Sequence, residues 1–274
     1  MMELIEMSLV DAIARFFLLF SNDIKVILLV IIAGLCSNHS KVWGQALSLM
    51  LFAAVFNTLL KNYYAVPLAD FIKEPGFAYP SGHMHTSTSL YGWVLLHSSL
   101  LWLRFAMLAL IIGTGWGLVH FGYHVPIDVL ASVGFVLATF IACKLILKNH
   151  KFIKNPALFS ILFMLLTFTC LLGIYYQTNN PPSKFYHCLR YAYVSLGFSL
   201  SWFVSSILLG NQKDIFNKAK SKLGYLFRVG VNYAVCGAII RYLLIATSFK
   251  YIVLGASVPL LSAICFGKRG DTSS

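Results

Sequence analysis

Nine apolar runs parted by short polar links leave this chain few folds to choose from: they fall at about 22–36, 42–60, 84–102, 104–119, 126–147, 157–176, 187–209, 223–246 and 248–266. A helix that crosses a bilayer consumes about 20 mostly apolar residues, and most of these runs approach that length. With 59% hydrophobic and 11% charged residues among 274, the chain carries more apolar surface than a soluble core can absorb. A bilayer removes the difficulty by solvating the outside of the bundle. Residues 7–20 add a mixed stretch in which Asp11 and Arg15 stand four apart on one helical face, beside Phe16, Phe17, Leu18 and Leu19. That pattern suits an interfacial helix or a short, imperfect membrane helix. The expected fold is all-α, a polytopic integral membrane helical bundle of nine or ten helices with no separate soluble domain.

The net charge of +12, from 21 Lys and Arg against 9 Asp and Glu, is distributed as a membrane protein distributes it. Basic residues gather between the apolar runs, in Lys148, Lys151 and Lys154 and again in Lys213, Lys218, Lys220 and Lys222, where cytoplasmic anchors belong. If the link 62–83 faces outward, alternation places Lys41, Arg104, both clusters and Lys268-Arg269 together on the cytoplasmic side. The links 62–83, 121–125 and 177–186 and the turn near Lys250 then face the other way and are poorer in positive charge. The bilayer is the expected partner, and no nucleic acid is expected, since isolated basic runs are weak signals for one. Six cysteines form no C-x-x-C pair and mostly lie inside apolar runs, as small core residues do. No Gly-rich nucleotide loop and no acidic metal cluster occur, so neither a cofactor nor a metal is expected. Met1 to Glu6 carries acids where a secretory signal carries Lys or Arg, so no cleaved signal is expected.

Two segments carry chemistry. Pro80-Ser81-Gly82-His83 stands between a polar link and the run that begins at Met84, which places it at a helix N-terminus. Amides exposed there attract anions, Gly82 lets backbone approach closely and the Ser81 hydroxyl adds a donor. His83, with an ordinary pKa near 6.5, can give a proton to a leaving oxygen. The plainer alternative is a Pro-Ser-Gly turn that caps a helix beside an interfacial histidine. His124 and Asp128, four apart, stack on one helical face. A carboxylate so placed fixes one imidazole nitrogen and leaves the other free to attack phosphorus. Asp128 is the only acid between Glu74 and Asp214, and an ionisable group in a membrane segment is costly enough to suggest function. Its plainer role is a helix-start carboxylate favoured by the dipole. His85 and His97, with Thr86, Ser87, Thr88 and Ser89, are expected to line a polar stripe between helices.

In these segments the chain resembles the type 2 phosphatidic acid phosphatase superfamily, which includes lipid phosphate phosphatases and is related to vanadium haloperoxidases. That family has three motifs: K-x6-R-P, P-S-G-H and S-R-x5-H-x3-D. The second is intact here, and the third survives in Gly122-Tyr123-His124-Val125-Pro126-Ile127-Asp128. The resemblance covers residues 20–150 and implies that His124 is the nucleophile forming a phosphohistidine, that Asp128 orients it and that His83 protonates the leaving group. Of the first motif Lys61 remains, but Leu68-Ala69 stands where the family has Arg-Pro, and Gly117-Leu118 stands where it has Ser-Arg. Arginine clamps phosphate through a planar fork that Leu cannot reproduce. Candidate replacements are Arg241, Arg190, His187, Lys73 and His120, with Arg241 and Arg190 joining Lys61, Ser81 and Gly82 as the expected substrate-binding set.

The implied organisation is a catalytic membrane domain over residues 1–150, with about four additional helices in 151–274. The implied function is hydrolysis of a lipid phosphate or polyprenyl diphosphate, with the site facing the periplasm from a bacterial inner membrane. Two alternatives stand beside it. One is transfer of a phospho-headgroup to another lipid, as in sphingomyelin-synthase-like transferases. The other is a transporter or scaffold that kept the fold and lost catalysis.

Overall fold

The computed structural model describes residues 8–68, 76–147, 155–177, 185–208, 222–242 and 247–266. Among them are ten α-helices: α1 (Leu9–Asn22), α2 (Ile24–Leu35), α3 (Ser40–Tyr64), α4 (Gly82–His97), α5 (Leu101–His120), α6 (Pro126–Leu147), α7 (Pro156–Gln177), α8 (Phe185–Leu208), α9 (Lys222–Tyr242) and α10 (Thr247–Phe266). The all-helical expectation and the helix count therefore hold for the described residues. Four of these helices, at Ser40–Tyr64, Leu101–His120, Pro126–Leu145 and Pro156–Gln177, are long and apolar enough to cross a membrane. The number rises to five if α1 and α2, bent 66° at their junction, count as one broken span. The basic cluster at 148–154, Lys213, Lys218 and Lys220 of the second cluster, residues 178–184, Lys73 and Lys268-Arg269 lie outside the described residues, while Lys222 begins α9.

Local chemistry sets the boundaries. Asp23 separates α1 from α2 because its carboxylate accepts the amides of Lys25 at 2.8 Å and Val26 at 3.3 Å, which starts a new helix where one would otherwise continue. The run expected at 84–102 breaks earlier, after His97. There the Ser98 hydroxyl accepts the Leu100 amide at 3.1 Å, a local bond that competes with the helix ladder. Arg104, expected in a link, consequently lies in the first turn of α5, where its Nε donates to the Leu95 carbonyl at 3.0 Å.

Helix α3 is the axis of the bundle, packing against α4 on one side and α7 and α8 on the other. Its Gly44 faces the Trp202 ring of α8 so closely that a Cβ has no room. The largest apolar cluster runs through both sides of residue 150, joining Trp43, Leu49 and Tyr91 to Phe159, Phe198 and Val258. A polar seam threads it. The Ser160 and Ser48 hydroxyls are in contact, Ser48 Oγ also reaches the Gly44 carbonyl at 2.9 Å, and Ser199 Oγ donates to the Ser160 carbonyl at 3.0 Å. The five described cysteines are free thiols.

Candidate active site

The site is built where α4 and α6 begin. Ser81 is the N-cap of α4, and its hydroxyl, fully buried, turns back toward the Met84 amide at 3.5 Å. Its backbone is held at both ends by α6: the Ser81 N–H donates to the Asp128 carbonyl at 3.2 Å, and the Ser81 carbonyl accepts from Ser132 Oγ at 2.8 Å. From α3, Asn57 Nδ2 donates to the Pro80 carbonyl at 3.2 Å and lies 3.4 Å from His85 Nδ1. Position 82 is glycine for a local reason, since a Cβ there would sit 3.2 Å from Asn57 Oδ1. With the Ser81 hydroxyl committed to capping, the amides of Gly82 and His83 have no acceptor among the described residues. They are first-turn donors at the positive end of the helix dipole.

His124 sits in the turn between α5 and α6. Helix α5 ends on Gly122 at φ 67°, a left-handed conformation that glycine adopts without strain. This reversal lets the Leu118 carbonyl accept both the Tyr123 amide at 3.0 Å and the His124 amide at 3.3 Å. With its backbone held, His124 places Nδ1 3.2 Å from Asp128 Oδ2, and the two side chains are 8% and 6% exposed. Asp128 Oδ2 also accepts the Val125 amide at 3.4 Å. Nδ1 is thus the protonated nitrogen, and Nε2 has no partner among the described residues. Burial lowers the His124 imidazole below its ordinary value, Asp128 pulls it back up through the hydrogen bond, and the Lys61 charge pushes it down again.

Lys61, in the last turn of α3, donates Nζ to the Phe77 carbonyl at 2.6 Å, so it ties the link that leads into the motif. Its charge reaches both His124 and His83, and the charge of His124 reaches His83. The structure thus brings Lys61, Gly82, His83, His124 and Asp128 to one end of the bundle, with Ser81 beneath them as a structural cap. His83 keeps exposed surface, but desolvation, followed by the charges of His124 and Lys61, pushes its imidazole down to about 4, so it is neutral at pH 7.

The remaining sequence candidates go elsewhere. Arg190 of α8 lies over the Tyr251 ring of α10, 5.7 Å from its centroid, and no described contact joins it to the histidines. Arg241 is on α9, but the position of its side chain lies outside the described residues. The ring of His187 meets Tyr191 of its own helix. His120 is engaged by Asp11 of α1 at 2.7 Å, so Asp11 pairs with His120, while Arg15, its neighbour in the sequence reading, stacks over Phe121 at 5.2 Å. His97 stacks on Trp93 with centroids 4.0 Å apart, and His85 is buried between Phe56 and Phe135.

The positions that carry Ser-Arg in the resembled family do packing here. Gly117 admits α1, for a Cβ there would lie 3.0 Å from Leu18 Cγ. Leu118, 1% exposed, joins Leu18, Met84 and Val129 in one apolar cluster. Sequence reasoning missed Asn57 and Ser132, the two side chains that pin the motif backbone. Their one signal was being polar inside apolar runs. No protein-family model matches the chain, and comparison with curated proteins and with solved structures likewise finds no match.

Proposed function

We propose that this chain is a polytopic integral-membrane enzyme that transfers a phosphoryl group from a lipid phosphate to water through a phosphohistidine. The observation that carries the reading is the 3.2 Å contact of His124 Nδ1 with Asp128, which leaves Nε2 unpartnered at the same end of the bundle as the open amides of Gly82 and His83, the two segments being tied by the Ser81 amide on the Asp128 carbonyl. The phosphate sits on those amides and on the Lys61 ammonium. His124 Nε2 attacks phosphorus, so that a P–N bond forms as the P–O bond to the lipid breaks, and His83, which takes up a proton once the phosphate's negative charge lies beside it, gives that proton to the departing lipid oxygen. Water then attacks the phosphohistidine, His83 takes the water's proton, and inorganic phosphate leaves. Asp128 holds the imidazole in the required tautomer throughout. The apolar outer helices support membrane embedding, and the loop charges support a site on the face away from the cytoplasm, which in a bacterial inner membrane is the periplasmic one.

A second reading is favoured by Leu118. With that position filled by an apolar cluster, the site has less positive charge than a phosphate monoester dianion calls for, and a singly charged phosphodiester suits it better. The same residues would then pass a phospho-headgroup to a lipid hydroxyl. Incubating purified protein with lipid phosphates, lipid diphosphates and phosphodiesters, with chelator present, separates the readings. Hydrolysis gives free phosphate and a radiolabelled, acid-labile protein adduct. Transfer gives a new phospholipid and no free phosphate. If neither product appears with any substrate, the enzyme assignment fails.

A further inference from the structure

Asp11 and Arg15 of α1 lie outside the stretch 20–150 that carries the resemblance, yet α1 meets the end of α5 turn by turn. Asp11 Oδ1 accepts from His120 Nε2 at 2.7 Å. One turn on, the Arg15 guanidinium lies over the Phe121 ring, 5.2 Å from its centroid. Deeper in, Leu18 joins Leu118, Met84 and Val129 in one apolar cluster. Two glycines of α5 permit this approach. A Cβ at Gly117 would stand 3.1 Å from the Ala14 carbonyl oxygen, and one at Gly113 would overlap the Phe17 ring. The far face of α1, with Leu9, Ile13 and Phe16, is exposed.

What α1 grips is the frame of the turn that carries His124. His120 stands between Trp116 and Phe121, with centroids 5.4 and 5.0 Å away, and Phe121 continues the row to Tyr123 at 5.9 Å. His124 is the next residue. Its amide and that of Tyr123 are both accepted by the Leu118 carbonyl, and Leu118 is the residue against which Leu18 packs. The turn itself reverses on Gly122 at φ 67°, a conformation open to glycine but stiffened by nothing in its own side chain. Helix α5 packs more extensively on α1 than on α6, so the α5 end of the turn takes its support from α1.

We infer that Asp11 is a positioning residue for His124: by holding His120 it fixes the terminus of α5 from which the nucleophile's turn extends, with Arg15 as a second hold on Phe121. The inference rests on the phosphoryl-transfer reading and adds to it a helix that touches no reacting atom. No described contact joins Asp11 to His83, His124 or Asp128. The Asp11 and His120 side chains are 33% and 28% exposed, and a pair so placed adds little to global stability. Its effect falls on where His124 Nε2 points, because a misplacement of about 1 Å at a reacting group costs on the order of 10²-fold in rate.

The test measures kcat and KM for a lipid phosphate, together with hydrogen exchange over residues 121–125, in Asp11→Ala, His120→Ala, the double variant and Asp11→Glu. All are compared in detergent below their thermal midpoints. Asp11→Ala is expected to lower kcat by about 10-fold, short of the cost of a full 1 Å displacement, with KM unchanged and exchange of the Tyr123 and His124 amides faster. His120→Ala is expected to match it, the double variant to be no worse than either single change, and Asp11→Glu to restore most of the rate. A kcat that Asp11→Ala leaves intact, unchanged exchange, or losses that multiply in the double variant overturns the inference while leaving phosphoryl transfer in place. Faster exchange in Asp11→Ala beside a wild type that turns over no lipid phosphate keeps the brace and removes the catalytic reading. Unchanged exchange with no turnover overturns both.

Discussion

Two buried polar clusters in this molecule contrast with each other. In the seam of Ser48, Ser160 and Ser199 between α3, α7 and α8, the hydroxyls bond to one another and to neighbouring carbonyls, so the cluster joins helices and offers nothing outward. At the start of α4 and α6 the same kind of bonding fixes Ser81, Pro80 and His124, yet it stops short. One imidazole nitrogen and two amides remain open. Both clusters hold helices together where water is scarce, but only the second keeps unused donor and acceptor capacity. That unused capacity, more than polarity itself, is what sets the second cluster apart as the candidate site.

The largest effects should come from removing the open groups. His124→Ala is expected to lower phosphate release by at least about 10³-fold, since the loss of a nucleophile leaves only binding and positioning. Asp128→Asn should cost about 10²- to 10⁴-fold by releasing the tautomer, with KM little changed in steady-state assays. A variant of either kind that retains the wild-type rate would put the corner in the same class as the seam.

A smaller effect is expected from pH. Because burial leads the forces that lower the His124 pKa below 6.5, the neutral imidazole that the proposed reaction requires predominates at pH 7. A log(kcat/KM) profile should therefore stay flat, for this group, down through 6.5 and fall only below the folded-state value. Stability follows the same sign. The unfolded chain binds this proton at a higher pH, so the folded state loses stability as pH drops below about 6.5, and the loss levels off once His124 is protonated in both states. A fall in rate that begins above pH 6.5 would show a different group to be limiting.

The smallest effect belongs to the seam. Ser48→Ala should cost about 0.6 kcal/mol of stability, up to about 1.7, read as a small drop in thermal midpoint in detergent. Phosphate release at temperatures below that midpoint should be unchanged, and a loss of activity there would mean that the two clusters are coupled.

What the sequence made legible follows the range of the forces involved. Run lengths announced the helices, because twenty apolar residues have few alternatives. The bend at Asp23 and the break at Ser98 went unseen, since each depends on one side chain capturing nearby amides. His124 and Asp128 were readable as a pair because four residues on a helix is a contact. Alternation of the runs put His83 and His124 on one face, and the resemblance added Lys61 and their convergence on one site. Asn57 and Ser132 showed only that they were polar inside apolar runs, and nothing local named their partners, which lie 23 and 51 positions away. His120 looked available until Asp11, 109 positions distant, was found to occupy it.

The double grip of α6 on the Ser81 peptide has one more consequence. A tilt of α6 must carry the His83 end of α4 with it, so the residues proposed as proton donor and nucleophile keep a fixed span. Helix α3 holds the same stretch of backbone through Asn57 on the Pro80 carbonyl and Lys61 on the Phe77 carbonyl. Three helices thus converge on one short segment, and a headgroup bulkier than the resting opening finds no hinge there and must fit the opening as it stands.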